Sequence, residues 1–477
     1  MKSARLVGLL GLSAVIGGCA VGPDYRPPRP PAGATAPLLS LNPALETRTE
    51  PPDDWWRLYD DPELDRLVRQ ALTANADLKV AEANLSTARA SLEATRNGLS
   101  PQTNLNLGAL YGRNGPTDEI LEIDQHKPQT IWLFDDVIDV SYELDLFGHV
   151  RRSVEASKAD AETARAARDS VKITVAAETT RAYAQICALG EQLAVARRSL
   201  DVVSHEAEIT RQRREAGAGS EFDLVRAEGL VAQARSAIPS LEGQRRAALF
   251  QLAALLGLTP AEAPVEAEAC ATPPRLSAPI PVGDGASLLK RRPDVRLADR
   301  RLAAATARIG VATADLYPRI TLKGLYGGEA PDLSNLSKNA GLTWGVGPSV
   351  NWSFPNMAGP RARIQAAKAG ARAALAGFDS TVLQALKETE QSLSLYGAEL
   401  DRREALADAQ AKAQKAFEMA HGQFLAGSIS TLDLLTSEQI LVTANAALAA
   451  SDAALAQDQI AVFKALGGGW EHQPAGV

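Results

Sequence analysis

Five histidines, three cysteines and several pairs of adjacent acids are the side chains from which this 477-residue chain could build a catalytic or metal site. His126, His149, His205, His421 and His472 are scattered, and no two have the spacing that turns a pair of imidazoles toward one metal. No GxxxxGK[ST] loop, GxSxG elbow or HExxH run occurs. Asp60-Asp61 and Asp135-Asp136 fall beside turns or strand ends, where solvated acids are common. The chain is therefore not expected to be an enzyme, and nothing in it asks for a cofactor or metal. Cys187 and Cys270 form no CxxC. Cys187 sits in a helical pattern and reads as a buried structural thiol; Cys270 lies in a loop, and a bond between them is compatible with an oxidising compartment.

The third cysteine has a different setting. Lys2 and Arg5 precede an apolar stretch, Leu6 to Ile16, too short to span a bilayer, and Gly17-Gly18-Cys19 follows. The run Ile16-Gly17-Gly18-Cys19 resembles a bacterial lipobox, with Ile where Leu is usual. That resemblance implies diacylglycerol on the Cys19 thiol, cleavage before it and acylation of the new amine, since several chains anchor stably where one does not. Ala20 in place of Asp favours sorting to the outer membrane. Pro23, Pro27, Pro28, Pro30, Pro31 and Pro37 then mark an extended tether with no core of its own.

These residues must be carried by larger elements, and the chain shows them twice. Ala76-Asp77-Leu78 matches Pro293-Asp294-Val295, and Ser100-Pro101 matches Tyr317-Pro318. Ala216-Gly217 matches Ala426-Gly427, Phe222-Asp223-Leu224 matches Leu432-Asp433-Leu434, Glu228 matches Glu438, and Leu256-Gly257 matches Leu466-Gly467. The offset stays near roughly 210–217 residues, the mark of a tandem repeat. Each copy predicts a helix (62–98 and 285–315), two strands, a very long helix, a Gly-containing turn and a returning helix. The span from Arg363 to His421 contains no proline and would reach about 90 Å; its counterpart runs from Arg152 to Glu215. Pro239 is expected to kink the first returning helix. Past the N-terminus no run of about 20 apolar residues is expected to cross a membrane as a helix.

The strands alternate. Thr103, Leu105, Leu107, Ala109 and Tyr111 oppose Gln102, Asn104 and Asn106, and Ile138, Val140, Tyr142 and Leu144 oppose Asp139, Ser141 and Glu143. Ile320, Leu322 and Tyr326 oppose Thr321 and Lys323, with Leu325 an exception, and Leu342, Trp344, Val346 and Val350 oppose Thr343, Gly345, Gly347 and Ser349. Such alternation fits a membrane barrel and a half-buried soluble sheet equally. The lipobox favours the barrel. Four strands cannot close one, and an open edge cannot face hydrocarbon, so several chains must contribute; three would give about twelve strands.

The tandem unit, the lipobox followed by Val21-Gly22-Pro23-Asp24-Tyr25, and the Trp55-Trp56 then Asp61-Pro62-Glu63-Leu64 segment resemble the TolC-, OprM- and NodT-like outer-membrane efflux lipoproteins of resistance-nodulation-division systems. The resemblance implies a mainly α fold with membrane β: a trimeric 12-stranded barrel, four strands per chain, continuing into a long α-helical coiled-coil periplasmic tunnel. It implies an outer-membrane channel of a tripartite efflux pump that passively exports drugs or other small toxic solutes. Its partners would be a periplasmic adaptor, an inner-membrane pump of the resistance-nodulation-division class and outer-membrane lipid. The divisions expected are a signal peptide at 1–18, a lipidated tether at 19–54, repeats at 55–258 and 286–467, a linker at 259–285 and a tail at 468–477.

The same resemblance places the periplasmic aperture at the two turns between long helices. Asp433 matches an acidic ring, Leu432 an apolar constriction, and Thr436 stands where the family has a second acid; Asp223 is the corresponding acid of the first turn. Phe424 and Ile429 replace a Tyr and an Arg that latch the closed state in TolC-type members, so the latch is absent or rebuilt around Asp223 and Arg226. Gly217, Gly219, Gly427 and Ser428, at the exposed turn tips, are the expected adaptor-docking positions. Independently of any family, Ser220 to Asp223 and Ser430 to Asp433 have capping-box spacing, and a cap and a pore ring are compatible. With no basic stripe and a net charge of −7, nucleic-acid binding is not expected. The rival reading, a structural coiled-coil lipoprotein spanning the periplasm, accounts for the anchor and the rods and leaves the four alternating strands without a role.

Overall fold

The computed structural model describes residues 20–40, 46–47, 49–112, 130–276, 278–336, 338–339 and 341–468. Cys19 with the signal segment, His126, His472 and the tail from 469 onward lie outside the described residues. In chain order the main elements are α1 (Pro62–Ala74), α2 (Ala76–Asn97), β1 (Gln102–Gly112), β2 (Ile131–Leu144), α3 (His149–Glu215), α4 (Glu221–Leu255), α5 (Gly285–Arg291), α6 (Pro293–Ala314), β3 (Arg319–Ala330), β4 (Leu342–Asn351), α7 (Ala358–Leu425) and α8 (Thr431–Ala465). The same order of helix pair, two strands and long hairpin is thus built twice. Two compact units result: Met1–Pro28 with Leu85–Ala164 and Leu297–Phe378, and Arg29–Asn84 with Arg165–Arg296 and Asp379–Val477.

The first unit holds one antiparallel sheet in the order β1-β2-β3-β4. Its register keeps the alternation in phase: Leu105, Ile138, Tyr326 and Trp344 face one another across all four strands, and Ser141 lies opposite Lys323. A slip of one residue would scramble both faces. On the polar face the Asn104 and Asn106 amides donate to Asp139 at 3.0 and 2.7 Å. Leu325 pairs with Asp139 and is an apolar intruder there, as expected, and Val137, Leu110 and Leu133 fall on the same parity. Asp136 falls on the apolar parity and accepts from the Gly328 amide at 2.6 Å.

The N-terminal segment is held more firmly than a tether needs to be. The Val21 amide donates to Phe147, the Arg152 guanidinium reaches Asp24 at 2.7 Å, and the Tyr25 hydroxyl bonds Asp299. Gly22, at φ +94°, lies where a Cβ would sit 2.5 Å from the Gly310 Cα, which is why glycine stands in this motif. In the second unit, Leu39 and Ser40 donate their amides to the Glu390 carboxylate at 2.7 and 2.9 Å, and Ala34 and Leu38 are buried. Residues 20–40 are therefore laid on the protein, an anchoring that the expectation of an extended tether with no core of its own did not include.

The core of the second unit gathers around Trp55, which is fully buried and stacks on Phe463 at 4.7 Å. Asp61 caps α1 by accepting from the Glu63 and Leu64 amides, Pro62 takes the first turn where no donor is needed, and the Tyr183 hydroxyl donates to the same carboxylate. The single helices expected at 62–98 and 285–315 are each broken. Asn75, with ψ 133°, ends α1 and bonds the Leu255 carbonyl; Arg292 ends α5 in an extended conformation that Pro293 requires. Arg292 is buried and bonds the Ala465 carbonyl, Asp294 and Glu388, so both breaks exist to tie the repeat to the end of a long helix. Cys187 and Cys270 are joined as a disulfide across 83 residues, fastening the linker to α3. Loop-closure scaling puts the unfolded-state entropy it removes at about 4–5 kcal/mol.

The rods exceed expectation: α3 has 67 residues and α7 has 68. Helix α4 runs through Pro239 as one element. Helix α8 is long and apolar enough, by length and composition alone, to cross a membrane. Its alanine-rich composition serves close helix packing instead. It pairs with α7 through Gln410–Asn445, Glu399–Ser451 and Arg403–Asp452 contacts that belong to a hairpin in water.

Candidate functional site

Two features outside the cores could act on something else: the sheet's outer surface and the two helix turns.

The apolar side of the sheet is uncovered. Leu107, Trp344 and Val346 are 72%, 69% and 73% exposed, and neither β1 nor β4 has a partner on its outer edge among the described residues. A water-soluble surface rarely shows so large a contiguous apolar patch. Aromatic rings mark its two ends. Tyr111 lies 5.0 Å from Trp132, which stacks on Phe134; at the other end Phe147 stacks on Tyr317 and Trp352 on Phe354. Rings at both rims of an apolar band are the pattern of a strand set placed between two membrane interfaces.

The turns are built alike because both helices end the same way. Gly217 and Gly427, at φ +73° and +74°, take the left-handed position after α3 and α7. The next amides, Ala218 and Ser428, reach back to Arg213 and Gln423 at 2.8 and 2.9 Å, closing a Schellman motif. A Cβ at either glycine would meet nothing within 4 Å, so backbone conformation alone selects glycine there. Gly219 has a negative φ, and its Cβ would crowd the Arg214 amide at 3.1 Å; the Ser428 hydroxyl bonds the Gln423 carbonyl.

After each turn a serine caps the returning helix. Ser220 accepts from the Asp223 amide, and its hydroxyl donates to Asp223 Oδ2 at 2.6 Å. Ser430 and Asp433 form the full reciprocal box, with the Ser430 hydroxyl donating at 2.6 Å and its amide at 3.2 Å to Asp433 Oδ2. These bonds from Ser430 hold the Asp433 carboxyl below the usual carboxylate range, so it is charged at neutral pH. Asp433 and Leu432 are exposed, whereas the Thr436 hydroxyl turns back to the Leu432 carbonyl at 2.6 Å. Leu434 and Leu435 are buried beneath them.

The two hairpins are fastened to each other by a pair the sequence did not bring together. The Arg213 guanidinium lies 3.8 Å from the Phe424 ring centre and donates to the Phe424 carbonyl at 3.0 Å. Arg226, by contrast, sits over Phe222 of its own helix, and Asp223 is engaged with Ser220. Phe424 was considered only as a replaced residue; the basic last turn of α3 was the signal for its partner. Among the described residues no group of His, Cys, Asp and Glu could hold a metal.

Comparison with known proteins agrees with this arrangement. The family described as outer membrane efflux protein matches residues 67–258 and 286–468. The chain is 30% identical to the pyoverdine export outer membrane protein OpmQ of Pseudomonas putida, with 93% of this chain and 92% of that protein covered. It is 27% identical to the probable outer membrane lipoprotein SilC of Salmonella typhimurium, covering 97% and 98% respectively. Among solved structures, the outer-membrane channel OprN superposes with a TM-score of 0.86 at 35% identity, over 95% of this chain and all of that one.

Proposed function

This chain belongs to the outer membrane efflux protein family, and on that premise we propose that three copies close one barrel from four strands each, with the four long helices of each copy lining a tunnel that ends at the helix turns. It is an outer-membrane efflux channel, and as such does no chemistry on what it passes. The observation that carries the trimer is the sheet. One face is apolar and bare, the other polar, and both outer edges are unpaired among the described residues. Hydrocarbon tolerates neither an open edge nor a four-stranded barrel, so copies of the chain supply the missing pairing.

Cys19 is the lipidation site in this reading, in keeping with the lipoprotein SilC, and fixes the chain to the outer membrane. The gate is the ring of second turns. Asp433 supplies three carboxylates around the axis, Leu432 the apolar constriction, and Asp223 a flanking acid; Thr436 leaves a single acidic ring where two could stand. Since Asp433 is already spent on capping α8, the ring is rigidly held. The exposed tips, Gly217, Gly219, Gly427 and Ser428, receive a periplasmic adaptor that links the channel to an inner-membrane pump of the resistance-nodulation-division class. Small drugs and toxic solutes are the cargo.

The test is conductance of the purified protein in planar bilayers. Asp433→Ala should enlarge single-channel conductance and weaken cation preference, because it removes the fixed negative ring along with the carboxylate's bonds to Ser430. Conductance and selectivity equal to the unaltered channel would remove Asp433 from the aperture.

A further inference from the structure

Glu438 stands in α8 where the pattern asks for an aliphatic side chain. Leu434, Leu435 and Leu441 flank it at helical spacing and are buried, and Glu438 itself is 0% exposed. Neither of its carboxyl oxygens has a hydrogen-bond partner. The charge that faces it is Glu206 of α3, 2% exposed, whose Oε2 is also without a partner. The other Glu206 oxygen lies 2.9 Å from His421 Nδ1 on α7. Helix α4 brings Ala227, Leu230 and Val231 against Leu435, and its Glu228 is taken by Arg211 at 2.9 Å. Arg213 is committed to Phe424.

Two carboxyl groups therefore share a buried space with one imidazole, and among the described residues no free cation faces them. Two unpaired buried negative charges are far too costly, so one carboxyl must be neutral while the helices are packed. Burial first, and the Glu206 charge second, push the Glu438 carboxyl up to about 8.

We propose that Glu438 and Glu206 form a proton-operated clasp that holds α8 against α3 behind the second turn, tight when Glu438 carries its proton and loosened as the proton leaves. The clasp sits only five residues, about 7.5 Å of helix rise, from Asp433, and its role in gating rests on the aperture reading above. The direction is fixed by linkage. When α8 separates, Glu438 meets water and titrates near an ordinary glutamate, about 4.3. Below that pH both states are protonated and the packed state has its full stability. Between there and about pH 8 the separated state alone loses the proton, so packing weakens steadily with rising pH and then levels off. Acid closes the clasp and mild alkali relaxes it.

Hydrogen exchange on the purified full-length channel in detergent tests this without passing current. Peptides covering residues 431–441, corrected for the pH dependence of intrinsic exchange, should lose protection by up to about tenfold per pH unit across the window between the two pKa values. Glu438→Gln, a neutral isostere, should keep its low-pH protection throughout. If wild-type protection is flat with pH, or Glu438→Gln retains the slope, the clasp is refuted. Should Glu438→Gln fail to assemble, Glu206→Gln provides the second arm: losing the facing charge must move the midpoint to lower pH, and an unmoved midpoint overturns the proposal. Unchanged conductance in Asp433→Ala would instead fault the aperture and leave this result standing.

Discussion

The sheet and the Trp55 core treat the same kinds of side chain in opposite ways. In the sheet Trp344 is 69% and Val346 73% exposed, whereas in the helical unit Trp55 and Phe463 are wholly buried. Both regions fold by pairing apolar surface with a partner. The helical unit finds its partner within the chain, in the stack of Trp55 on Phe463 and the leucines around it. The sheet does not, and its partner is the lipid and the neighbouring copies. The contrast teaches that exposure in one chain is a statement about which solvent that region was built for, as much as about its stability.

The largest break in that contrast should come from a charge on the lipid-facing side. Val346→Arg places a guanidinium in the apolar band at about 2–4 kcal/mol per chain near the bilayer midplane, and three copies compound it. Trimer recovered from outer-membrane fractions should fall sharply, while the same substitution on the polar parity, Ser349→Arg, should leave assembly largely intact. Equal yields from the two would mean that the sheet has no lipid side. Next in size is Trp55→Ala in the buried core, expected to cost about 3–5 kcal/mol. Thermal unfolding in detergent should show it as a clear drop in the helical transition, with the barrel strands lost later or at the same temperature. The smallest effect tests the turns, which belong to neither extreme. Ser430→Ala removes the cap of α8 at about 1 kcal/mol. It should modestly raise exchange in residues 431–436 and, by freeing Asp433, broaden the conductance distribution without lowering trimer yield.

Much of this protein could be read before any coordinates. The turns announced themselves through Ala-Gly followed by Ser-x-x-Asp, and both capping arrangements are where that spacing placed them. The strands were legible because alternation needs only neighbouring residues, and the register then carried each face across the sheet. Most of what was misread turns on remote groups. The break at Asn75 depends on the Leu255 carbonyl, 180 residues away; the break at Arg292 was already written in Pro293 beside it, and only its tie to the Ala465 carbonyl, 173 residues away, is remote. The hydrogen bonds that lay Leu39 and Ser40 on the protein depend on Glu390, 351 and 350 residues away. The disulfide could be allowed by compartment but not chosen, because pairing is a matter of distance between Cα atoms, here 4.8 Å.

The chain's own order of residues thus determined the local devices: caps, left-handed glycines, periodic faces and the repeat that carries them twice. Only the tertiary structure decided which long-range groups those devices meet, among them Arg213 on Phe424 and Glu438 against Glu206. The division has a physical origin. Periodicity and capping are set by backbone geometry over a few residues, whereas burial and charge pairing are set by whatever the fold brings alongside from far along the chain.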